Sequence, residues 1–225
     1  MKETRLCLFI LLTIFVFSCR TSTEEIKLKG NEYFPLNIGS SRLYKVDTIV
    51  YDAFKKEIDT ISNVFKEVVV EKYPDLSGDT VYRIELSKYS IDKQMYVVFK
   101  SFERSIKGNY AMEKMENKNE VKMLFPISNF KTKGNSYTWN ANMFIESDPV
   151  IVKYTSVFTG YNNGLSAYND CVSVKLSKPQ LGIVNKVREE VYAKNVGLVY
   201  RYSDSTDLLL DTFPSGKKII VKLIN

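Results

Sequence analysis

Leu43-Tyr44-Lys45-Val46-Asp47-Thr48-Ile49-Val50-Tyr51-Asp52 is the stretch whose reading decides the fold class. Its pattern is alternation and not a 3.6-residue period, and it is dense in β-branched and aromatic residues, so it reads as a strand. The same pattern dominates from Ser41 to the C-terminus, supported by fifteen tyrosines. Ile58 to Tyr73 is the second strand. There Val64, Val68 and Val70 share a face with Lys66 and Lys72, so only the middle of that face is expected to be well buried. The turn Pro74-Asp75-Leu76-Ser77-Gly78-Asp79 starts a third strand, Thr80 to Ser90.

Met95 to Ile106 alternates again, with Tyr96, Val98, Phe102 and Ile106 on one side and Ser101 and Glu103 on the other. Tyr110 to Glu116 and Glu120 to Phe125 flank Asn117-Lys118-Asn119, a hairpin turn. Ser128 to Ser136 reads as a loop that brings in Trp139. Val150 to Phe158 and Tyr168 to Ser177 surround Asn162-Asn163-Gly164, a strong turn signal. Ile183 to Lys194, Leu198 to Tyr202, Leu208 to Phe213 and Lys218 to Ile224 complete the set, the last two placed around Pro214-Ser215-Gly216. Ten to twelve strands with short turns and no amphipathic helix predict an all-β, antiparallel domain. A sheet that long must curl or fold over to bury a face. A strongly curved sheet, a half-open barrel and a two-layer sandwich all satisfy that requirement.

The N-terminus has a different character. Lys2 and Arg5 precede an apolar run from Leu6 to Phe17, then Ser18-Cys19. Twelve apolar residues are too few for the roughly 30 Å of a bilayer core, and they suit a cleavable signal helix. Val16-Phe17-Ser18-Cys19 resembles a bacterial lipobox, in which Cys19 is diacylated and becomes the mature N-terminus. The expected organisation is a signal peptide over 1–18, an acylated cysteine and flexible tether over 19–31, and one β domain over 32–225. The membrane is then a partner through the lipid on Cys19, at the outer membrane, on either its periplasmic or its outer face. Glu24-Glu25, shortly after the cysteine, is too short an acidic run to decide between them.

Composition excludes several chemistries. The chain has 225 residues, 32 basic against 26 acidic, and no histidine. Ser-His and Cys-His nucleophile pairs and His-based metal sites are therefore excluded. Basic residues are interspersed with acids, so no stripe for a phosphate backbone exists and no nucleic acid is expected. Once Cys7 leaves with the signal and Cys19 carries lipid, Cys171 has no disulfide partner and reads as a small buried side chain.

Three groups of segments recur together in one known family: Tyr33-Phe34-Pro35-Leu36-Asn37-Ile38-Gly39 with Tyr44 to Asp52; Phe125-Pro126-Ile127 with Trp139-Asn140-Ala141-Asn142; and Tyr192-Ala193-Lys194-Asn195-Val196-Gly197-Leu198-Val199-Tyr200. The chain thereby resembles a family of uncharacterised lipoproteins from Bacteroidota. The resemblance implies a lipoprotein with a single β domain, and no activity. Where such proteins often carry tryptophan shortly before the first tyrosine of the strand, this chain has Arg42.

The remaining candidates compete with blander readings. A carboxylate-dependent hydrolase needs two acids about 5 to 9 Å apart in one cleft. Glu189 and Glu190 point to opposite faces of a strand, while Glu67 with Glu71 and Asp204 with Asp207 read as solvent-exposed acids. Ser128 with Lys131, and Ser215 with Lys218, match the spacing of a Ser-Lys dyad by chance. Asp75, Ser77 and Asp79 read as a side-chain-stabilised turn and not as a Ca²⁺ loop. Asp79-Thr80-Val81 and Asp204-Ser205-Thr206 resemble O-glycosylation acceptors, with Thr80 and Ser205 the better candidates because they lie near turns. Tyr161, Tyr168, Tyr200 and Tyr202 are candidate recognition aromatics. No catalytic residue, cofactor or metal is expected. The leading expectation is a non-catalytic, lipid-anchored module binding an envelope protein or a small ligand. The alternatives are a lipid or lipoprotein carrier with an apolar cavity and an envelope glycan hydrolase.

Overall fold

The computed structural model describes residues 30–116, 118–127, 136–139, 150–177, 184–207 and 213–224. The export signal, Cys19 and the Ser128–Lys131 dyad lie outside them. A single turn of 3-10 helix, Asn31–Tyr33, precedes twelve strands. These are β1 (Ser41–Asp52), β2 (Glu57–Pro74), β3 (Thr80–Ser90), β4 (Met95–Lys107), β5 (Tyr110–Met115) and β6 (Lys118–Leu124), then β7 (Ser136–Trp139), β8 (Val150–Asn162), β9 (Ala167–Ser177), β10 (Val184–Ala193), β11 (Gly197–Asp207) and β12 (Ser215–Leu223). All belong to one sheet in the order β6-β5-β4-β3-β2-β1-β12-β11-β10-β9-β8-β7. Every pairing is antiparallel.

The chain thus starts in the middle of its own sheet, meanders out to the edge strand β6, resumes at the opposite edge with β7, and meanders back until β12 pairs with β1. In a flat sheet, the eight steps from β6 to β10 would separate those strands by about 38 Å. Instead Lys122 Nζ on β6 lies 3.1 Å from Glu190 Oε1 on β10. The hydroxyl of Tyr154, on β8, accepts from Leu124 N at 2.9 Å and donates to Leu124 O at 2.6 Å. The sheet is therefore curled into a half-open barrel, one of the three architectures the sequence allows.

Bulges supply part of that curl, because each extra residue raises local twist. Register shifts occur between Val69 and Glu71, Leu86 and Ser87, Ala111 and Met112, and Val191 and Tyr192. They also break simple alternation. On β4 the shift leaves Phe99 unpaired, so Val98 pairs with Ser87 while Phe102 pairs with Ile84. Tyr96 and Val98 consequently lie on the face opposite Phe102, a correction to their expected grouping. On β2 the well-buried residues are Glu67 and Val69. They lie on the face opposite Val64, Val68 and Val70.

Three boundaries also differ from expectation. Ser136–Trp139 is a strand, and β11 continues to Asp207. Ser215 and Gly216 are not a turn but pair with Asp207 and Thr206 inside the ladder. Gly216 has φ 115°, and a Cβ there would lie 2.3 Å from Ser205 O, so the ladder can close at that point only on glycine. Residues 208–212, where an additional strand was expected, lie outside the described residues.

The main core gathers Phe34, Tyr44, Met123, Phe125, Val172, Val174, Val191, Tyr192 and Val199 around the end of the barrel where the N-terminal segment packs. Neighbours on β10 point to opposite faces, yet Glu190 and Val191 are both fully buried, so this part of the sheet is covered on both sides. Cys171 is buried there as a free thiol. Burial, with Asp170 nearby, pushes it up to about 11.

Candidate functional site

The inner face carries an ionic network that joins the two halves of the barrel. Arg104 grips Glu67 with two parallel bonds of 2.8 Å and donates through Nε to Glu113 at 2.9 Å. Arg42 adds a bond of 3.4 Å to Glu67 and donates Nε to Val196 O at 2.7 Å. Lys122 lies 3.4 Å from Glu113, 3.4 Å from Glu120 and 3.1 Å from Glu190. Arg188 bonds Glu120 at 2.8 Å and Glu190 through Nε at 2.7 Å, and Tyr192 donates to the other oxygen of Glu190. Arg201 Nε lies 2.7 Å from Glu190 Oε1.

Five cations and four carboxylates from β1, β2, β4, β5, β6, β10 and β11 are thus held together. Burial alone would raise Glu113, but Lys122 and then Arg104 hold it well below the usual carboxylate range. Burial opposes ionisation of Glu190 likewise, and Arg188, Arg201 and Lys122 overcome it. A general acid needs the opposite shift, so these two buried acids are suited to structure and not to proton donation. Glu67 is no exposed acid, whereas Glu71 is exposed and pairs with Arg83 at 2.8 Å. A cleft of about 230 Å³, including solvent at its mouth, opens beside Phe34, Pro35, Leu36, Tyr192 and Leu198. Its two cations are Arg42 and Arg104, both already paired.

The opposite end of the barrel reverses this arrangement. Nine of the fourteen large apolar side chains exposed among the described residues lie on the outer halves of the β1–β2 and β3–β4 hairpins: Phe54, Ile58, Ile61, Val64, Tyr89, Ile91, Met95, Val98 and Phe99. Phe54, at the β1–β2 turn, is fully exposed. Pairing of β2 with β3 begins only at Phe65 opposite Lys88. From Glu57 to Val64, β2 is therefore paired on its β1 side alone. That leaves an open edge of eight residues, about 27 Å long.

The sequence-predicted residues fall elsewhere. Tyr161, Tyr168 and Tyr200 are brought together: Tyr161 pairs with Tyr168, and its ring lies 5.6 Å from that of Tyr200. All three are half-buried against the main core, and burial pushes the Tyr161 hydroxyl up to about 12. Tyr202 is separate from that cluster and donates to Asp204 at 2.9 Å. Thr80 is exposed at the start of β3, while Ser205 is exposed with its hydroxyl donating to Lys217 O at 3.1 Å. Ser215 and Lys218 belong to β12. Asp75 accepts Ser77 N at 2.8 Å, Asp79 N at 3.0 Å and the ammonium of Lys107, which also lies 3.3 Å from Asp79. A lysine therefore occupies the position a cation would take. Asn163 does more than turn the chain: it is buried and donates to Val199 O at 3.1 Å and Leu223 O at 3.0 Å.

The network had one legible signal. Arg104 alternates in step with Phe102 and Ile106, and Glu190 in step with Tyr192, so charged residues sit at inward positions. Which of them would meet was not legible, because the pairs are up to 68 residues apart.

No family model matches the chain, and no curated protein matches it. Among solved structures it is similar to a candidate lipoprotein from Parabacteroides distasonis ATCC 8503, with 10% identity and a TM-score of 0.43, over 86% of this chain and 97% of that one. It is also similar to a candidate exported protein with YmcC-like fold from Bacteroides fragilis NCTC 9343, with 11% identity and a TM-score of 0.39, over 85% and 96% of the respective chains.

Proposed function

We propose that this chain is a lipid-anchored, non-catalytic module of the cell envelope that docks a partner protein by adding an extended partner segment to the open edge of β2. The observation that carries the reading is the exposed outer half of β2, with Ile58 and Val64 on one face and Ile61 on the other, and with no strand paired on its β3 side along residues 57–64. Strand addition uses such an edge for main-chain hydrogen bonds and its flanking side chains for specificity. Of the devices that blunt long edges, residues 57–64 lack proline, lysine and a bulge and carry two carboxylates, Glu57 and Asp59, which favour a partner segment bearing basic side chains.

Orientation supports a protein partner over a bilayer. The N-terminal segment packs at the end where β1 begins, and β1 runs away from it for twelve residues, about 40 Å. The described chain enters the domain at the near end, by Gly30, and the open edge lies at the far end. The lipid itself rests on the sequence before Cys19. Outer-membrane placement belongs to the same proposal. The carrier alternative has less support, since a 230 Å³ cleft between two guanidinium groups is a poor acyl pocket. The hydrolase alternative has less support because Glu113 and Glu190 are held ionised.

A photoreactive residue placed at Ile61 in the native membrane tests the docking reading, with Leu76 as control: a still more exposed apolar side chain on the 75–79 turn at the other end. One adduct of defined mass is expected from Ile61 and none from Leu76, with slowed amide exchange over 57–64 in the isolated complex. Equal labelling at both positions, or unchanged exchange, overturns strand addition. Intact mass of the extracted protein and of a Cys19→Ala variant tests the lipid.

A further inference from the structure

The ionic network is unevenly satisfied. Arg42, Arg104, Lys122 and Arg188 each hydrogen-bond at least one carboxylate. Arg201 does not. Its Nε is close to Glu190 Oε1, yet it is buried and makes no hydrogen bond. The oxygen it faces already accepts from Lys122 and Arg188, and its partner oxygen accepts from Tyr192. Five cations on four carboxylates leave one positive charge in surplus, and the geometry places that surplus at Arg201. Arg201 is ion-paired with Glu190 but shares that carboxylate with Lys122 and Arg188 and donates no hydrogen bond to it, so an anion that gives its guanidinium acceptors is favoured there.

Access is available from the open side of the barrel. The Arg201 side chain is 22% exposed, and Arg188 beside it is 26% exposed. Register places Arg201 opposite Val221, and Val221 opposite Val46, so these residues share the inner face. The next rung towards the open end is Ser203, Ile219, Thr48 and Ile61. Phe65 stands on the same face of β2, its ring 5.2 Å from that of Phe99. From β11 to β2 is three strand spacings, about 14 Å, the reach of a medium-length acyl chain.

We propose that the inner face of β11, β12, β1 and β2 binds a single-chain anionic amphiphile, its carboxylate or phosphate on Arg201 and Arg188 and its aliphatic chain along Val46, Ile219 and Ile61. Guanidinium groups grip such planar or tetrahedral anions with paired hydrogen bonds. The site shares Ile61 with the β2 edge and needs no protein partner.

The test uses the full chain in a non-ionic detergent, titrated with carboxyl-labelled dodecanoate and followed by carbon NMR against empty micelles. Dodecanol and inorganic phosphate are titrated in parallel. One bound dodecanoate per chain is expected, with dodecanol and phosphate each at least tenfold weaker. Arg201→Gln is expected to weaken dodecanoate at least tenfold and to lower the thermal midpoint as well, since Arg201 helps hold Glu190 ionised, and Arg201→Lys to restore part of both losses. Should Arg201→Gln fail to fold, Ile219→Asp, which leaves the network intact and places a repelling charge in the groove, is expected to abolish binding. Phosphate binding as tightly as dodecanoate would reduce the site to a simple anion pocket and overturn the amphiphile. Equal dodecanoate affinity in wild type and in whichever of these two variants folds would overturn the site itself.

Discussion

Strand β10 and the outer half of β2 belong to one sheet and obey opposite rules. On β10, Glu190 is fully buried while ionised, and its charge is answered by Lys122 and Arg188 from within the same chain. On β2, Ile58 and Ile61 are more than half exposed, and nothing among the described residues covers them. In the first region the polar groups are inside and satisfied; in the second the apolar groups are outside and the backbone edge is open. Buried charge here is what closes the barrel, because Lys122–Glu190 and Arg188–Glu120 are the contacts that hold β6 against β10. Exposed apolar surface at the far end buries little area within the described chain, and the proposed docking would cover it.

If that contrast is right, breaking the network is the most damaging single change. Glu190→Gln leaves Lys122, Arg188 and Arg201 facing a neutral amide, and a loss of about 3–5 kcal/mol is expected by urea denaturation. A loss below about 1 kcal/mol would mean that the apolar core alone closes the barrel. Gly216→Ala comes next. Its Cβ meets Ser205 O at 2.3 Å in a left-handed backbone, and a loss of roughly 2 kcal/mol is expected in the same assay. This would show that the β11–β12 ladder is tight even though it extends towards the open end.

The pH dependence sharpens the comparison further. Glu113 and Glu190 have folded values well below the carboxylate range, so their stabilisation is complete above about pH 4.3 and is lost as pH falls through those lower values. Tyr192 is raised, first by burial and then by Glu190, so its contribution is complete below about pH 10 and declines as pH rises towards its folded value. With no histidine to titrate between, the urea midpoint is expected to be flat from about pH 5 to 9 and to fall on both sides. A midpoint that changes by pH 6 would show that the network is not ionised as described.

The smallest effect belongs to the open end. Ile61→Asn is expected to change stability by no more than about 0.5 kcal/mol, because the side chain is already exposed. Amide exchange over 57–64 should run far ahead of exchange over 187–193 in the free protein. A large destabilisation by Ile61→Asn would mean that the outer hairpins are part of the folding core and not a docking surface.

Alternation alone fixed most strands, since period two is set by the geometry of each strand and needs no partner. Thr80–Ser90 was located to the residue, and the Asn162-Asn163-Gly164 turn was legible from its residue types. Bulges were not, because an extra residue is a property of a strand pair. For that reason alternation groups Tyr96 and Val98 with Phe102, on the wrong face, and does not reveal the exposed hairpin face. The candidate site was legible only as charges at inward positions. The expectation that Glu67 is exposed failed because its counter-ion, Arg104, lies 37 residues away on a strand that does not adjoin β2.

The sequence by itself determined an antiparallel all-β chain without histidine chemistry, because those features are local or compositional. Tertiary structure alone decided that the sheet is a half-open barrel, that β6 and β7 are its edges, and that five cations and four carboxylates close it. It also decided that one end of β2 stays unpaired. These outcomes depend on which distant strands meet, and long-range pairing is set by packing and electrostatic complementarity across the closed form, which no local pattern encodes.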